Sequence, residues 1–157
     1  MKKPGKLRTV FFTVIPVILL DQITKALVAN LLSPTGVITV IPGFFDIVNS
    51  RNPGAAFGIL QEGGLVRTLF LVAVSILSLV VVAILIAQSK KRFTDFSLSL
   101  IAAGAIGNLI DRILGGEVID FLDFYIRRYH WPAFNVADSA ITVGVFLSIL
   151  GFYSKKD

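Results

Sequence analysis

The sequence predicts an all-α polytopic membrane protein. It is expected to have four transmembrane helices, a small extracytoplasmic β-sheet between the first two and a short interfacial helix between the last two. Of its 157 residues, 55% are hydrophobic and only 16% are charged, whereas a soluble domain carries about 25% charged residues. The apolar segments are also long, since residues 68–89 contain no charged side chain. This pattern is typical of helices that face lipid.

Four apolar stretches have the length of a membrane span. A bilayer core about 30 Å thick needs roughly 20 helical residues, and such stretches lie at about 9–30, 66–88, 95–114 and 134–153. The first follows the basic opening MKKPGKLR and looks like a secretory signal peptide. Because charged residues interrupt it and no small-x-small cleavage motif follows, we expect it to remain as an uncleaved span. Residues 1–157 are thus predicted to form a single membrane domain.

The basic residues predict the orientation of the chain, because most of them flank the same end of the predicted spans. They are Lys2, Lys3, Lys6, Arg8, Lys90, Lys91, Arg92, Lys155 and Lys156. Cytoplasmic segments carry an excess of Lys and Arg, so both termini are expected in the cytoplasm and the segments at about 31–65 and 115–133 outside. The net charge of +5 is then a topology signal, and no nucleic-acid partner is expected.

The two outer segments differ in character. Within residues 34–62, the pieces VITVI and FFDIV flank Pro42 and Gly43, which is typical of two short β-strands joined by a turn. The second segment contains FLDFYIRRYHWP, which mixes aromatic residues with Arg127 and Arg128. This mixture predicts a short helix lying at the membrane interface.

The residue inventory excludes several kinds of chemistry. The chain has no Cys and a single His, so it offers no disulfide, no thiolate nucleophile and no Cys or His zinc cluster. Glycine loops with phosphate-binding spacing are absent as well. The sequence therefore predicts no metal and no cofactor, and any chemistry must come from carboxylates, amides, hydroxyls, Lys or Arg.

Polar residues within or beside the predicted spans converge on one layer. Charges inside spans are costly and indicate functional sites. At about 1.5 Å per helical residue, the outward-running first and third spans and the inward-running fourth span bring these side chains to a similar depth near the outer face. They are Asp21, Lys25, Asn108, Asp111, Arg112, Asp120, Asn135 and Asp138.

Each charged residue of this layer also has a structural interpretation. For Asp21 and Lys25, four positions apart, we favour an ion pair in which the lysine extends toward the membrane surface. For Asp111, an interhelical salt bridge is favoured over catalysis. For Asp138, catalysis is favoured, because its span has no neighbouring cation to neutralise it. Spacing alone leaves Asp120 open between a helix cap and a functional acid.

Two carboxylates held close together can perform hydrolysis. Such a pair shares one proton, so that one acid activates water while the other protonates or polarises the scissile carbonyl. A Ser–Lys dyad is a competing hydrolase, but Lys25 is the only lysine in the outer half and no serine lies in an obvious nucleophile turn. A proton- or ion-coupled transporter is the competing non-enzyme, and it would be expected to hold its acids near the midplane.

Five stretches have the order and spacing of a known family: DQITK at 21–25, NPGAAFG at 52–58, GAIGNLIDR at 104–112, GEVIDF at 116–121 and FNVADS at 134–139. Together they resemble the motif set of the signal peptidase II family of lipoprotein signal peptidases, over essentially the whole chain. A small departure is Ala103, where that family often has a second glycine.

The resemblance implies that Asp120 and Asp138 are the catalytic pair, so it selects Asp120 over Asp111 as the partner of Asp138. It also implies a supporting set that binds substrate or holds the site together: Asn52, Gly54, Asn108, Arg112, Asn135, Asp21, Lys25 and Asp111. The small residues Gly54, Ala55, Ala56 and Gly58 either let the substrate backbone approach closely or only form a tight turn.

The resemblance also implies a substrate and a location. The substrate is a prolipoprotein whose cysteine carries diacylglycerol, and the enzyme cuts just before that cysteine. The protein is expected to be monomeric in the bacterial cytoplasmic membrane, with its active site near the extracytoplasmic face. Its expected partners are lipid-modified prolipoproteins and membrane lipids, and cyclic peptides of the globomycin type are expected to occupy the aspartate pair.

Overall fold

The structure is a computed structural model that describes residues 4–54 and 64–153. Within these residues the chain forms four helices, α1 (Pro4–Leu31), α2 (Gly64–Gln88), α3 (Arg92–Gly115) and α4 (Val136–Tyr153). It also forms four strands, β1 (Val37–Ile41), β2 (Phe45–Asn52), β3 (Val118–Ile126) and β4 (Tyr129–His130). The predicted roles of Ala55, Ala56 and Gly58 lie outside the described residues.

Helix α3 is the centre of the bundle and packs against the other three helices. Small residues on α3 allow this close approach. A Cβ atom at Gly104 would overlap the carbonyl oxygen of Ala137 on α4, and one at Gly107 would lie 2.6 Å from Asp21 Oδ2 on α1. Large apolar side chains on α1 and α2 point outward and are exposed. The molecule is therefore a helical membrane protein, as predicted.

The helix boundaries refine the predicted spans. Among the described residues, three helices are long and apolar enough to cross a bilayer, namely Gly5–Leu31, α2 and α3, while Val136–Gly151 is a shorter apolar helix. Helix α4 begins after residue 134 because Asn135 caps it, with its Oδ1 accepting the Asp138 N–H at 2.9 Å. A fourth span stays a prediction.

The strands form an antiparallel sheet in the order β1-β2-β3-β4. The hairpin of β1 and β2 confirms the two strands predicted around Pro42 and Gly43, and Gly43 adopts the left-handed φ of 77° that such a turn requires. The sheet follows the C-terminal ends of α1 and α3.

The predicted interfacial helix between α3 and α4 is wrong, because this segment forms β3 and β4. Its sequence VIDFLDFYI is rich in aromatic and branched residues, which suit a half-buried strand. The deciding factor is non-local, since β2 provides a free edge on which Asn52 pairs with Val118 and Ser50 pairs with Asp120. The sheet therefore takes two strands from residues 37–52, after α1, and two from residues 118–130, between α3 and α4.

Candidate active site

Asp120 is a buried acid on β3, with 3% of its surface exposed. It is not a helix cap. Its Oδ2 accepts a hydrogen bond from Asn52 Nδ2 at 2.9 Å, and its Oδ1 accepts one from Asn135 Nδ2 at 2.7 Å. Burial raises the pKa of Asp120 to about 6, and the negative charge of Asp138 adds to this rise, while the two amide hydrogen bonds oppose it. Asp120 therefore keeps its proton to a higher pH than an ordinary carboxyl group does.

Asp138 lies in the first turn of α4 and is connected to Asp120 through two amides. Asn108 Nδ2 on α3 donates to Asp138 Oδ1 at 2.7 Å. Asn135 Nδ2 donates to both Asn108 Oδ1, at 3.2 Å, and Asp120 Oδ1. The structure thus brings the two predicted catalytic acids to one hydrogen-bonded network, although they come from different elements.

A buried lysine on α1, Lys25, connects this helix to α3 next to the network. Lys25 Nζ lies 2.8 Å from Asp21 Oδ2 and 2.7 Å from Asp111 Oδ2. The predicted Asp21–Lys25 ion pair is therefore present, and the interhelical salt bridge predicted for Asp111 forms with Lys25. The lysine does not extend toward the surface as predicted, because two carboxylates enclose its ammonium group and its side chain is only 2% exposed.

The lysine also orients an amide of the site. Asn108 Oδ1 accepts hydrogen bonds from Lys25 Nζ at 3.1 Å and from Asn135 Nδ2. Because the amide oxygen has two donors, the amide nitrogen is the end that faces Asp138. Lys25 therefore positions a donor to Asp138 without contacting Asp138 itself.

Asp21 connects α1 to the start of α4. Its Oδ1 accepts the backbone N–H of Ala137 at 2.9 Å, one of the N–H groups that the first turn of a helix leaves free. A carboxylate is favourable at this end of a helix dipole. This contact holds the turn that carries Asp138.

Arg112 lies beside the acids, and its guanidinium group has an N–H group without a hydrogen-bond partner among the described residues. Its charge is within Coulombic range of Asp138, Asp111 and Asp120. One Nη atom is 3.5 Å from the carbonyl oxygen of Asn108, and the buried Nε has no hydrogen-bond partner among the described residues. A buried donor without a partner is costly, and a ligand carbonyl would satisfy it.

Gly54 controls the orientation of Asn52. Its backbone N–H donates to Asn52 Oδ1 at 2.8 Å, which turns the amide nitrogen toward Asp120. Gly54 has a φ of 90°, and a Cβ atom there would overlap the side chain of Leu71 on α2. Glycine is required at this position for both reasons.

Gly54→Ala is expected to weaken the site. The left-handed backbone costs about 1–2 kcal/mol with a Cβ atom, and displacing Gly54 releases the amide of Asn52. We expect the turnover rate to fall by up to about 100-fold, the scale of a misplaced contact. Gly43→Ala is the matched control, because Gly43 has a φ of 77° but open space around it. Equal turnover by the two variants would contradict the positioning role.

One residue of the network was not predicted. Gln22 Nε2 donates to Asp111 Oδ1 at 3.0 Å and to Asp21 Oδ2 at 3.1 Å, so it bridges the same two acids as Lys25. The only sequence signal was its position next to Asp21. An amide there is indistinguishable from a surface residue until the neighbouring helix is known.

The side chains of the site are poorly suited to coordinate a metal ion. In the part of the chain that the structure describes, no group of three or more His, Cys, Asp or Glu side chains is arranged to hold one. The carboxylates of the site instead bind amide and ammonium groups. The absence of a cofactor stays a prediction.

The fold and the site define a class of protein: a helical membrane protein with two acids linked by amides at one end of the bundle. The family model for signal peptidase (SPase) II matches residues 13–154. The chain therefore belongs to the signal peptidase II family, and it is an aspartic peptidase. The resemblance in the five motifs and the prediction of an enzyme are both confirmed.

Individual relatives agree with this assignment. The chain is 47% identical to a protein of Syntrophus aciditrophicus named lipoprotein signal peptidase, over 99% of this chain and 98% of the relative. It is 43% identical to a protein of the same name from Staphylococcus carnosus, over 99% and 98%. A bacterial membrane enzyme solved by the in meso method at 1.9 Å is 37% identical, with a TM-score of 0.83 over 95% of this chain and 94% of that one.

Proposed function

We propose that the protein removes the signal peptide from diacylglyceryl-modified prolipoproteins, cleaving just before the lipidated cysteine, and that Asp120 and Asp138 perform the cleavage. The observation that carries this proposal is the pair of acids joined through Asn135 and Asn108. Relatives over nearly the full chain are named lipoprotein signal peptidase, which supports the substrate.

The two acids have different tasks in the proposed mechanism. Asp120, whose pKa burial raises to about 6, holds the shared proton and donates it to the scissile carbonyl oxygen. Asp138 accepts a proton from water as the water oxygen attacks the carbonyl carbon. When the tetrahedral intermediate collapses, the C–N bond breaks and Asp138 returns its proton to the amine of the lipidated cysteine. The dyad regains the shared proton from the intermediate's hydroxyl group.

The neighbouring donors suit substrate binding. Arg112 has a buried Nε available for a peptide carbonyl, and Asn52 holds the carboxylate of Asp120 rather than the substrate. The backbone at Gly54 would let an extended peptide approach closely. A globomycin-like cyclic peptide would compete for the same space, and inhibition that is competitive with substrate tests this.

The proposed topology has four spans with both termini in the cytoplasm of a bacterium and the acids near the extracytoplasmic face. Asn108 and Asp111 lie near the end of α3, whereas Arg92 begins this helix. Arg92 and the site residues Asn108 and Asp111 therefore lie at opposite ends of α3, which supports this orientation under the positive-inside rule. The cleavage site of a membrane-inserted signal peptide would reach the acids at the outer interface, and one copy of the chain supplies every residue of the site.

The decisive experiment compares two substrates. Purified protein is given one prolipoprotein peptide with, and one without, diacylglycerol on its cysteine. We expect cleavage of the lipidated peptide alone, with the new amino terminus at the lipidated cysteine by mass spectrometry. Equal cleavage of both peptides, or cleavage at another bond, would refute the proposed substrate.

The rate of cleavage is expected to depend on pH. Asp120 loses its proton as pH rises through about 6, and a doubly ionised pair has no acid to protonate the carbonyl. The value of kcat/KM, which reports the free enzyme, should therefore fall about tenfold per pH unit on the alkaline side. The corresponding fall in kcat should occur at higher pH, because bound lipid buries Asp120 further. A flat kcat/KM profile from pH 5 to 8 would contradict a proton held by Asp120.

A further inference from the structure

A cavity lies at the opposite end of the bundle from the acids. Its volume is about 700 Å³, and it is lined by residues from the second and third turns of α1 and the N-terminal end of α3. The lining residues are Arg8, Thr9, Phe12, Thr13, Arg92, Phe93 and Phe96. Nothing in the peptidase mechanism uses these side chains.

Two arginines lie at this cavity without acidic partners. The Arg8 guanidinium carbon is 5.7 Å from the centre of the Phe12 ring, and Arg92 Nε donates to Thr9 Oγ1 at 3.2 Å. In residues 4–54 and 64–153, no carboxylate lies within 4.0 Å of either guanidinium. Their remaining N–H groups are therefore available to an anion.

Asp95 is the acid on the neighbouring turn of α3, and its Oδ1 has no hydrogen-bond partner among the described residues. Asp95 is buried on α3, and its Oδ1 lies 3.9 Å from Lys6 Nζ. Lys6 also donates to the carbonyl oxygens of Ile86 and Ser89, both at 2.6 Å, at the end of α2. Lys6 partly offsets the charge of Asp95, and with Arg8 and Arg92 the charged groups around the cavity remain net positive.

The walls of the cavity are apolar and aromatic. Phe12, Phe93 and Phe96 are all exposed, at 65%, 47% and 40%. In the proposed topology these exposed rings would contact the lipid chains just below the head groups. A site with two cations above an aromatic wall is complementary to one end of a phospholipid.

We propose that this cavity binds an anionic glycerophospholipid from the adjacent leaflet. Arg8 and Arg92 hold the phosphodiester, since guanidinium groups bind phosphate oxygens through paired charge-assisted hydrogen bonds. One acyl chain lies along Phe12, Phe93 and Phe96. The bound lipid bridges α1 and α3 at the end where the acid cluster provides no contact between them. This site is separate from the proposed peptidase function.

The test measures lipid binding to purified, delipidated protein. Phosphatidylglycerol and phosphatidylcholine with identical acyl chains are titrated, and bound lipid is counted by native mass spectrometry while thermal unfolding is followed. We expect one phosphatidylglycerol to be retained and to raise the unfolding temperature. In Arg8→Gln/Arg92→Gln its affinity should fall at least about tenfold, since a single hydrogen bond to a charged group already contributes a factor of that size.

A matched control carries the same change in charge. Lys90→Gln/Lys91→Gln removes two cations from the same end of the bundle but from outside the cavity, and it should change the affinity less than about threefold. Equal losses in the two double variants would overturn the proposal in favour of non-specific surface attraction. Equal binding of phosphatidylcholine would overturn the choice of an anionic lipid.

Two further probes separate a lipid from a simple anion. Inorganic phosphate and glycerophosphoglycerol carry the charge without acyl chains. We expect neither to stabilise the protein at concentrations where phosphatidylglycerol does. Equal stabilisation by either probe would show an anion site without a lipid and would overturn the proposal. Arg8→Gln/Arg92→Gln should retain peptidase activity in detergent, so a folding defect would be apparent.

Discussion

Asp120→Asn and Asp138→Asn are each expected to reduce cleavage of lipidated prolipoprotein by about four orders of magnitude, the scale at which a member of a catalytic unit is lost. Each substitution keeps the shape of the side chain but removes a carboxylate. Without Asp138 no base accepts a proton from water, and without Asp120 no acid protonates the carbonyl. Initial rates on the lipidated peptide, with thermal unfolding of each variant, provide the measurement.

Asp123→Asn is the matched control for this pair. Asp123 lies three residues after Asp120 on β3, but its carboxylate contacts the His130 ring at 2.9 Å and not a residue of the acid network. It should therefore retain near-normal turnover. Near-normal cleavage by either Asp120→Asn or Asp138→Asn would refute the catalytic pair.

Lys25→Met is expected to cause the largest loss of stability. The substitution leaves Asp21 and Asp111 buried without their shared cation, and breaking a buried ion pair from one side costs about 3–5 kcal/mol. The apparent unfolding temperature in detergent should fall sharply. Turnover per folded molecule should fall as well, because Asn108 loses the donor that fixes its amide.

A double variant distinguishes charge from packing. Adding Asp111→Asn to Lys25→Met removes one of the two unpaired charges, so the double variant should be more stable than Lys25→Met alone. Lys90→Met, at an exposed position, controls for the loss of a lysine. If the double variant is less stable than Lys25→Met, the cost comes from poorer packing and not from unpaired carboxylates.

Residue spacing alone could not identify the second catalytic acid. Asp111 and Asp120 both lay near the predicted layer, and only the family resemblance preferred Asp120. In the structure Asp111 is held by Lys25 and Gln22, whereas Asp120 reaches Asn52 and Asn135. The two acids differ in their partners, and those partners are distant in sequence.

The interfacial helix was mispredicted for a related reason. Residues 118–126 mix aromatic, apolar and acidic side chains, a pattern that fits an interfacial helix and a half-buried strand alike. The edge of β2 decides between them by offering backbone hydrogen bonds. Strand pairing between segments far apart in the chain leaves no local signal.

The sequence by itself determined the membrane class, the apolar helices, the first hairpin and the motif set of the family, because these depend on composition and on local periodicity. Only the tertiary structure decided which side chains meet. Lys25 is enclosed by acids from two helices, and β3 pairs with β2 so that Asn52 reaches Asp120. Such contacts arise from helix packing and strand pairing across long stretches of chain, so their energies are absent from any local segment.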